Sequence, residues 1–164
     1  MKLLELFKSA PYEYHRSYRG DITTYTFTTE DKHRVTVYFR LNRQVEQEHV
    51  YCLEFERNGT YQITDEGDAV KIMSTVIAIT KEFVEKTHPL MFYFTAHEPS
   101  RVKLYAALAK RFTSLAATMG YKITDTLPDN AASMLPPFII SSSYQATHKC
   151  HFFIRTTARP KLEI

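Results

Sequence analysis

Apolar and polar residues alternate with a period of two through residues 12–63. This alternation is typical of β-strands with one buried face, and the runs are rich in β-branched and aromatic side chains. Thr29 to Lys32 joins two such runs as a hairpin loop would, and Asn58-Gly59 is a strong turn signal that leads into a candidate short strand over residues 61–64. The pattern predicts an antiparallel meander, with strand positions at Tyr12, Tyr14, Tyr18, Tyr25, Phe27, Val35, Val37, Phe39, Val50, Cys52, Leu53 and Phe55.

The hydrophobic period changes after Asp68. Apolar residues recur at helical spacing from Ala69 to Val84, and this spacing predicts a helix over residues 69–86. Asp68 is suited to cap that helix, because its carboxylate can accept the unpaired N–H groups of the first turn. His88-Pro89 then ends the helix.

A strand and a second helix follow. The continuous apolar run over residues 90–94 is typical of a central strand covered on both faces. Pro99 stands where the first turn of a helix tolerates proline, and Gly120 is suited to end that helix in the left-handed conformation. Residues 121–123 are predicted to be extended again.

The last part of the chain is predicted to be a loop over residues 127–137, followed by strands at Phe138 to Ser142 and Lys149 to Thr156. The whole pattern predicts an α+β fold with a single mixed, mostly antiparallel sheet and helices on its faces, in the order β-β-β-α-β-α-β-β. A chain of 164 residues suits one domain, so residues 1–164 are expected to form a single domain.

The charge is mildly basic, with a formal net charge of +3. The basic clusters are short, whereas nucleic-acid-binding modules usually carry a denser basic stripe. No stretch reaches the roughly 20 apolar residues that a membrane span needs. We therefore expect a cytoplasmic protein that does not enter a membrane and does not depend on nucleic acid.

Cysteine and histidine spacing does not predict a metal site. Cys52 and Cys150 each lie in an apolar, strand-like run, which favours two reduced and buried thiols. His148 and His151 form an H-x-x-H pair. If both lie on one strand, they face opposite sides of the sheet and do not share a metal ion.

The segment from Val50 to Tyr121 resembles the core of the GCN5-related N-acetyltransferase family. That core places a strand, a phosphate-binding turn, a helix, a strand and another helix in this order, and its turn has the form Gln/Arg-x-x-Gly-x-Gly/Ala. Here Gly67 and Ala69 match that form, while Thr64 stands where the family has Gln or Arg. The resemblance implies an acetyltransferase-like domain in which acetyl-CoA contacts Thr64, Gly67, Asp68 and Ala69.

An acyltransferase also needs groups that move protons. By the same resemblance, Tyr105 is the candidate general acid, although it also lies on the apolar stripe of its helix, where it would be a core tyrosine. Glu54 and Glu56 alternate on the strand before the turn and are candidates for the general base. Arg101 either binds an anion beside the start of the second helix or pairs with Glu98 at i,i+3.

A second resemblance concerns the run from Phe94 to Tyr105, which ends in Glu98-Pro99-Ser100-Arg101-Val102-Lys103-Leu104-Tyr105. Together with Met73-Ser74-Thr75-Val76, it is similar to a group of small uncharacterised proteins of tailed bacteriophages. The resemblance implies a viral protein that acts in the host cell cytoplasm. It implies no activity.

The charge around Gly67 argues against a phosphate ligand. Asp65, Glu66 and Asp68 would surround a diphosphate with carboxylates, and each like-charge contact can cost about 1 kcal/mol or more. The same residues suit the beginning of a helix. The leading hypothesis is therefore a noncatalytic phage-type accessory domain that uses no cofactor and binds a host or phage protein. The alternative is an acetyl-CoA-dependent N-acyltransferase that acts on an amine.

Tyrosine and arginine interleave near the start of the chain, and both are enriched at protein interfaces. They also suit base stacking with phosphate contacts, which makes single-stranded nucleic-acid binding a third hypothesis. A sheet face packed on a helix is the structural alternative. The candidate interface residues are Tyr12, Tyr14, Arg16, Tyr18 and Arg19.

Overall fold

The structure is a computed structural model that describes residues 10–58, 69–128 and 132–157. Its strands are β1 (His15–Arg19), β2 (Ile22–Thr28), β3 (Arg34–Val45), β4 (Glu48–Arg57), β5 (Met91–Ala96), β6 (Tyr121–Thr124) and β7 (Lys149–Arg155). Its helices are α1 (Ala69–Thr87), α2 (Pro99–Thr118), α3 (Pro137–Ile140) and α4 (Ser142–Thr147), with a short 3-10 helix at Ala132–Met134.

Within the described residues, seven strands form one sheet in the order β1-β2-β3-β4-β5-β7-β6. Neighbouring strands are antiparallel except for β4 and β5, which are parallel. The predicted α+β class with a single mixed, mostly antiparallel sheet is therefore confirmed. In the part of the chain that the structure describes, four strands precede α1, rather than the three of the predicted order.

One face of the sheet packs against both long helices. Phe39 of β3 stacks on Phe83 of α1 with ring centroids 3.8 Å apart. Tyr105 of α2 lies between Phe55 and Phe94, at ring-centroid distances of 5.2 and 4.8 Å. Fully burying one such large apolar side chain stabilises the fold by roughly 1.5–3 kcal/mol, so this layer is the main core.

The opposite face is covered over β5 and β7 by the connection between β6 and β7. Leu135 and Ile139 of that connection are buried against Met91, Tyr93 and Phe152. The central strand β5 is therefore covered on both faces, as its continuous apolar run predicted. Over β2, β3 and β4 this face carries mostly polar side chains.

The strand predicted at residues 138–142 is wrong, because these residues form α3 and the start of α4. Pro137 occupies the first turn of α3, where the missing proline N–H has no intrahelical partner to lose. The Ser141 side chain accepts the backbone N–H of Tyr144 and caps α4. A short apolar run does not by itself distinguish a strand from a helix.

The other predicted boundaries agree with the structure to within a few residues. The second helix begins at Pro99, and Gly120 adopts a φ of +82° after its end, as predicted. A Cβ atom at Gly120 would also approach the Thr157 Oγ1 atom to 2.9 Å. Asp68 and the candidate strand at 61–64 lie outside the described residues.

None of the helices in the described ranges combines the length and the apolar character that a membrane span requires.

Candidate functional site

A cleft opens where β4 and β5 separate. The two strands pair only through Val50–Met91, Tyr51–Phe92 and Cys52–Tyr93, although β4 continues to Arg57. The cleft has a volume of about 230 Å³. Its polar lining includes Glu54, Thr95, His97, Arg101, Tyr144 and His148.

The β4 wall presents Cys52 and Glu54, which share one face of the strand because side chains alternate. The Cys52 Sγ atom lies 3.9 Å from the Glu54 Oε1 atom. Burial, aided by the charge of Glu54, raises the pKa of the Cys52 thiol to about 12. The thiol therefore stays protonated near neutral pH and is not a nucleophile, which leaves Glu54 as the proton acceptor of this wall.

The first turn of α2 brings Arg101 to the cleft. Its Nη2 atom donates a hydrogen bond to the Tyr105 hydroxyl at 3.3 Å, one helical turn further along. Tyr105 is 2% exposed and belongs to the core, as the apolar stripe predicted. Burial raises the pKa of its hydroxyl, the hydrogen bond and charge of Arg101 oppose that rise, and the charge of Glu54 adds to it.

The connection between β6 and β7 supplies the aromatic wall. The rings of Tyr144 and His148 stack with centroids 3.7 Å apart and planes 5° apart. His97 lies directly after β5, and its ring centroid is 5.0 Å from that of His148. The Tyr144 hydroxyl shares a 2.7 Å hydrogen bond with the Thr95 hydroxyl, which fixes this wall to β5.

The cleft thus combines one carboxylate, one guanidinium, two imidazoles and a tyrosine hydroxyl. These groups can accept and donate protons and can orient a small ligand that carries both charge signs. This lining is typical of a site for acid–base chemistry on a polar substrate.

The two predicted base candidates lie in different places. Glu54 lines the cleft, whereas Glu56 accepts a 2.6 Å hydrogen bond from the Tyr38 hydroxyl. Glu56 lines a separate depression of about 500 Å³ on the polar face of β2, β3 and β4, next to Thr36 and Arg34. Only Glu54 is therefore in reach of a ligand in the cleft.

The predicted acetyl-CoA contacts are only partly described. Thr64, Gly67 and Asp68 lie outside the described residues, and Ala69 is the first residue of α1. Of the residues predicted to contact the cofactor, Arg101 is the one that the structure brings to the cleft.

The predicted interface residues divide between core and surface. Tyr12 is only 9% exposed, with its ring stacked on Phe27 and the Lys71 ammonium 4.4 Å from its centroid, so it does not reach the surface. Tyr14 is half-buried, and its hydroxyl donates to Glu82 at 3.4 Å. The surface part of the set consists of Tyr18, which is 66% exposed, and Arg19, whereas Arg16 is half-buried.

His97, Tyr144 and His148 belong to one site that the sequence does not predict. The sequence singles out His148 only for its spacing to His151, which lies on the helix-covered face of β7 with its ring centroid 5.1 Å from that of Phe94. The ring stacking of Tyr144 and His148 at i,i+4 would have been a usable signal, had this segment been predicted helical. In the described part of the chain, no three His, Cys, Asp or Glu side chains group closely enough to hold a metal ion.

Comparison with known proteins gives a family and no activity. No curated protein matches the chain. The predicted phage origin stays a prediction. The pattern of a family of unknown function, DUF6934, matches residues 8–146. Because this match spans most of the sequence, the chain belongs to the DUF6934 family of unknown function.

Proposed function

We propose that this chain is an acyl-CoA-dependent N-acyltransferase that modifies an amine in the cleft between β4 and β5. The observation that carries the proposal is the separation of the two strands after three paired residues. The last position of β4 in register with β5 is Cys52, and β4 continues from there to Arg57. A strand edge of this kind can pair with amide groups of a ligand, and the pantetheine arm of coenzyme A carries two.

The order of the elements supports the same proposal. The parallel strands β4 and β5 are connected through α1, and α2 follows β5 directly. The acetyltransferase resemblance implies a strand, a helix, a strand and a helix in sequence, and the order of these four elements supports the proposal. The start of α2 also places its partial positive charge beside the cleft, where it would stabilise developing negative charge.

Glu54, which lines the cleft, takes the base role, and Tyr105, a core residue whose hydroxyl is hydrogen-bonded to the cleft residue Arg101, takes the acid role. Glu54 removes a proton from the ammonium group, and the neutral nitrogen attacks the thioester carbon. A C–N bond forms, the C–S bond breaks, and the leaving thiolate receives a proton from the Tyr105 hydroxyl. The amide nitrogen then returns a proton to Tyr105, so the net products are the amide, free coenzyme A and the proton on Glu54.

The experiment measures release of free coenzyme A from acetyl-CoA with a panel of primary amines. Glu54→Gln should lower kcat/KM by about 10²–10⁴-fold, since the base is lost while the shape of the side chain remains. Glu56→Gln is the matched control, because it removes a carboxylate from the same strand outside the cleft.

Acetyl-CoA itself should stabilise the protein against heat, by about 2.7 kcal/mol at one hundred times its Kd. The proposal fails if acetyl-CoA at millimolar concentration neither raises the melting temperature nor yields coenzyme A with any amine.

A second function, noncatalytic binding of a host or phage protein, is favoured by the edge strand β1. The Arg16 guanidinium lies 4.7 Å from the ring centroid of the exposed Tyr18. The outer edge of β1 has no neighbouring strand in the described sheet, so a partner strand can pair with it. If this surface is an interface, Tyr18→Ser should abolish capture of the partner, whereas Phe138→Ser, at another exposed aromatic residue, should retain it.

A further inference from the structure

The cleft offers binding groups of both charge signs. A plain amine would use Glu54, but it would offer nothing to the guanidinium and imidazoles that line the same cleft. A specific binding site usually pairs each of its charged groups with a group of the substrate, because a charged group that loses water and gains no partner weakens binding. The positively charged part of the lining therefore indicates that the acceptor bears a second, negatively charged group besides its amino group.

We infer that the acceptor is an α-amino acid, or a similarly small amine that bears a carboxylate next to its amino group. This inference rests on the proposed acyl transfer. Glu54 meets the ammonium group, and Arg101 binds the carboxylate with help from the His97 and His148 rings. A guanidinium binds a carboxylate through two parallel N–H···O bonds, which fixes the position of the neighbouring nitrogen.

The two charged groups line one small cleft. Arg101 and Glu54 line the same cleft, and both act on the hydroxyl of Tyr105. Arg101 is held from behind by its hydrogen bond to Tyr105, so its guanidinium is fixed before a ligand arrives. The start of α2 adds a partial positive charge on the same side as Arg101.

The size of the cleft favours a small acceptor. Its volume of about 230 Å³ lies below the range of about 300–1,000 Å³ that is common for drug-sized ligands. The flat stack of Tyr144 and His148 forms one wall and suits an apolar or aromatic side chain. The exposed ring of Phe138 packs against Tyr144 with ring centroids 5.5 Å apart.

The test compares amino acids with the amines that lack only the carboxylate. Phenylalanine is paired with 2-phenylethylamine, leucine with 3-methylbutylamine, and histidine with histamine, and coenzyme A release is measured for each. Each amino acid should be acetylated with a kcat/KM at least about tenfold above that of its amine, because the amino acid makes one charge-assisted bidentate contact that its amine lacks.

Two variants of α2 refine the comparison. Arg101→Gln should remove the difference between the two classes, so that the ratio of kcat/KM for each amino acid to kcat/KM for its matched amine falls to about one, whatever the variant does to the rates of both through Tyr105. Lys103→Gln removes an exposed positive charge from the same helix, and it should change the kinetic constants neither for the amino acids nor for the amines. If Arg101→Gln does not fold, the comparison of paired acceptors on the unmodified chain still decides the question.

The outcomes separate the two proposals. Equal rates for amino acids and amines would overturn the carboxylate inference while leaving acyl transfer intact. Calorimetric binding of amino acids without any coenzyme A release would support the recognition site and overturn the acyltransferase proposal. Amino acids that neither bind nor react, with amines that do react, would overturn the inference alone.

Discussion

Replacing Tyr105 with phenylalanine separates the packing role of this residue from its chemical role. The ring is 2% exposed and lies between Phe55 and Phe94, and phenylalanine keeps both contacts. The lost hydroxyl accepts one hydrogen bond from Arg101 at 3.3 Å, at the long end of the normal range. We therefore expect Tyr105→Phe to lower the free energy of unfolding by only about 0.5–1.5 kcal/mol.

Tyr105→Phe should affect the rate of acyl transfer much more strongly than it affects the stability of the fold. Burial raises the pKa of the Tyr105 hydroxyl, so the phenol is protonated at neutral pH and can act as the acid. Loss of a general acid typically lowers the rate by about 10²–10⁴-fold. Urea unfolding would measure stability, and coenzyme A release at pH 7.5 would measure the rate.

Tyr121→Phe is the matched control for this substitution. Tyr121 is also buried, and its hydroxyl donates to the Pro89 carbonyl oxygen, outside the cleft. Tyr121→Phe should lower the free energy of unfolding by about as much as Tyr105→Phe does, and it should leave the rate of acyl transfer unchanged. A Tyr105→Phe variant that kept its full rate would refute the acid role and shift it to Tyr144, the hydroxyl that lines the cleft.

Two further predictions concern stability. Phe83→Ala should lower the free energy of unfolding by about 3–5 kcal/mol, since it leaves a cavity against Phe39. Phe138→Ala, at a ring that is 59% exposed, should lower it by less than about 1 kcal/mol. Equal losses in urea titrations of the two variants would contradict the described packing. Burial and the charge of Lys149 lower the pKa of His151, so the unfolded chain takes up a proton that the folded chain rejects, and stability should fall as pH drops below about 6.5. His151→Phe should flatten that fall in urea midpoints between pH 7.5 and 5, and an unchanged slope would show that other groups cause it.

The repeating patterns of the sequence determined most of the elements. Alternation before Asn58 predicted strands because a sheet buries every second side chain, and the structure buries Tyr25, Val37 and Phe55 accordingly. The spacing of apolar residues predicted α1 and α2 because one stripe of each helix meets the sheet. Pro99 and Gly120 marked the ends of α2 through their own backbone preferences.

The spacing of apolar residues did not predict the correct element where more than one conformation can bury the same residues. The run from Phe138 to Ile140 is apolar enough for a strand, yet only Ile139 is buried and the segment turns through two short helices. Which conformation such a segment adopts depends on the surface that it covers, here the outer face of β5 and β7. Tyr144 and His148 therefore were not predicted as site residues.

Alternating positions, helical spacing and the single residues that end an element can be read from the chain, because these properties depend on neighbours in sequence. The pairing of β4 with β5 for three residues, and its end after Cys52, depends instead on the packing of the folded protein. That separation brings Glu54, Arg101 and His148 together from three distant segments. Pairing register and long-range proximity arise from packing of the whole sheet, and no local period encodes them.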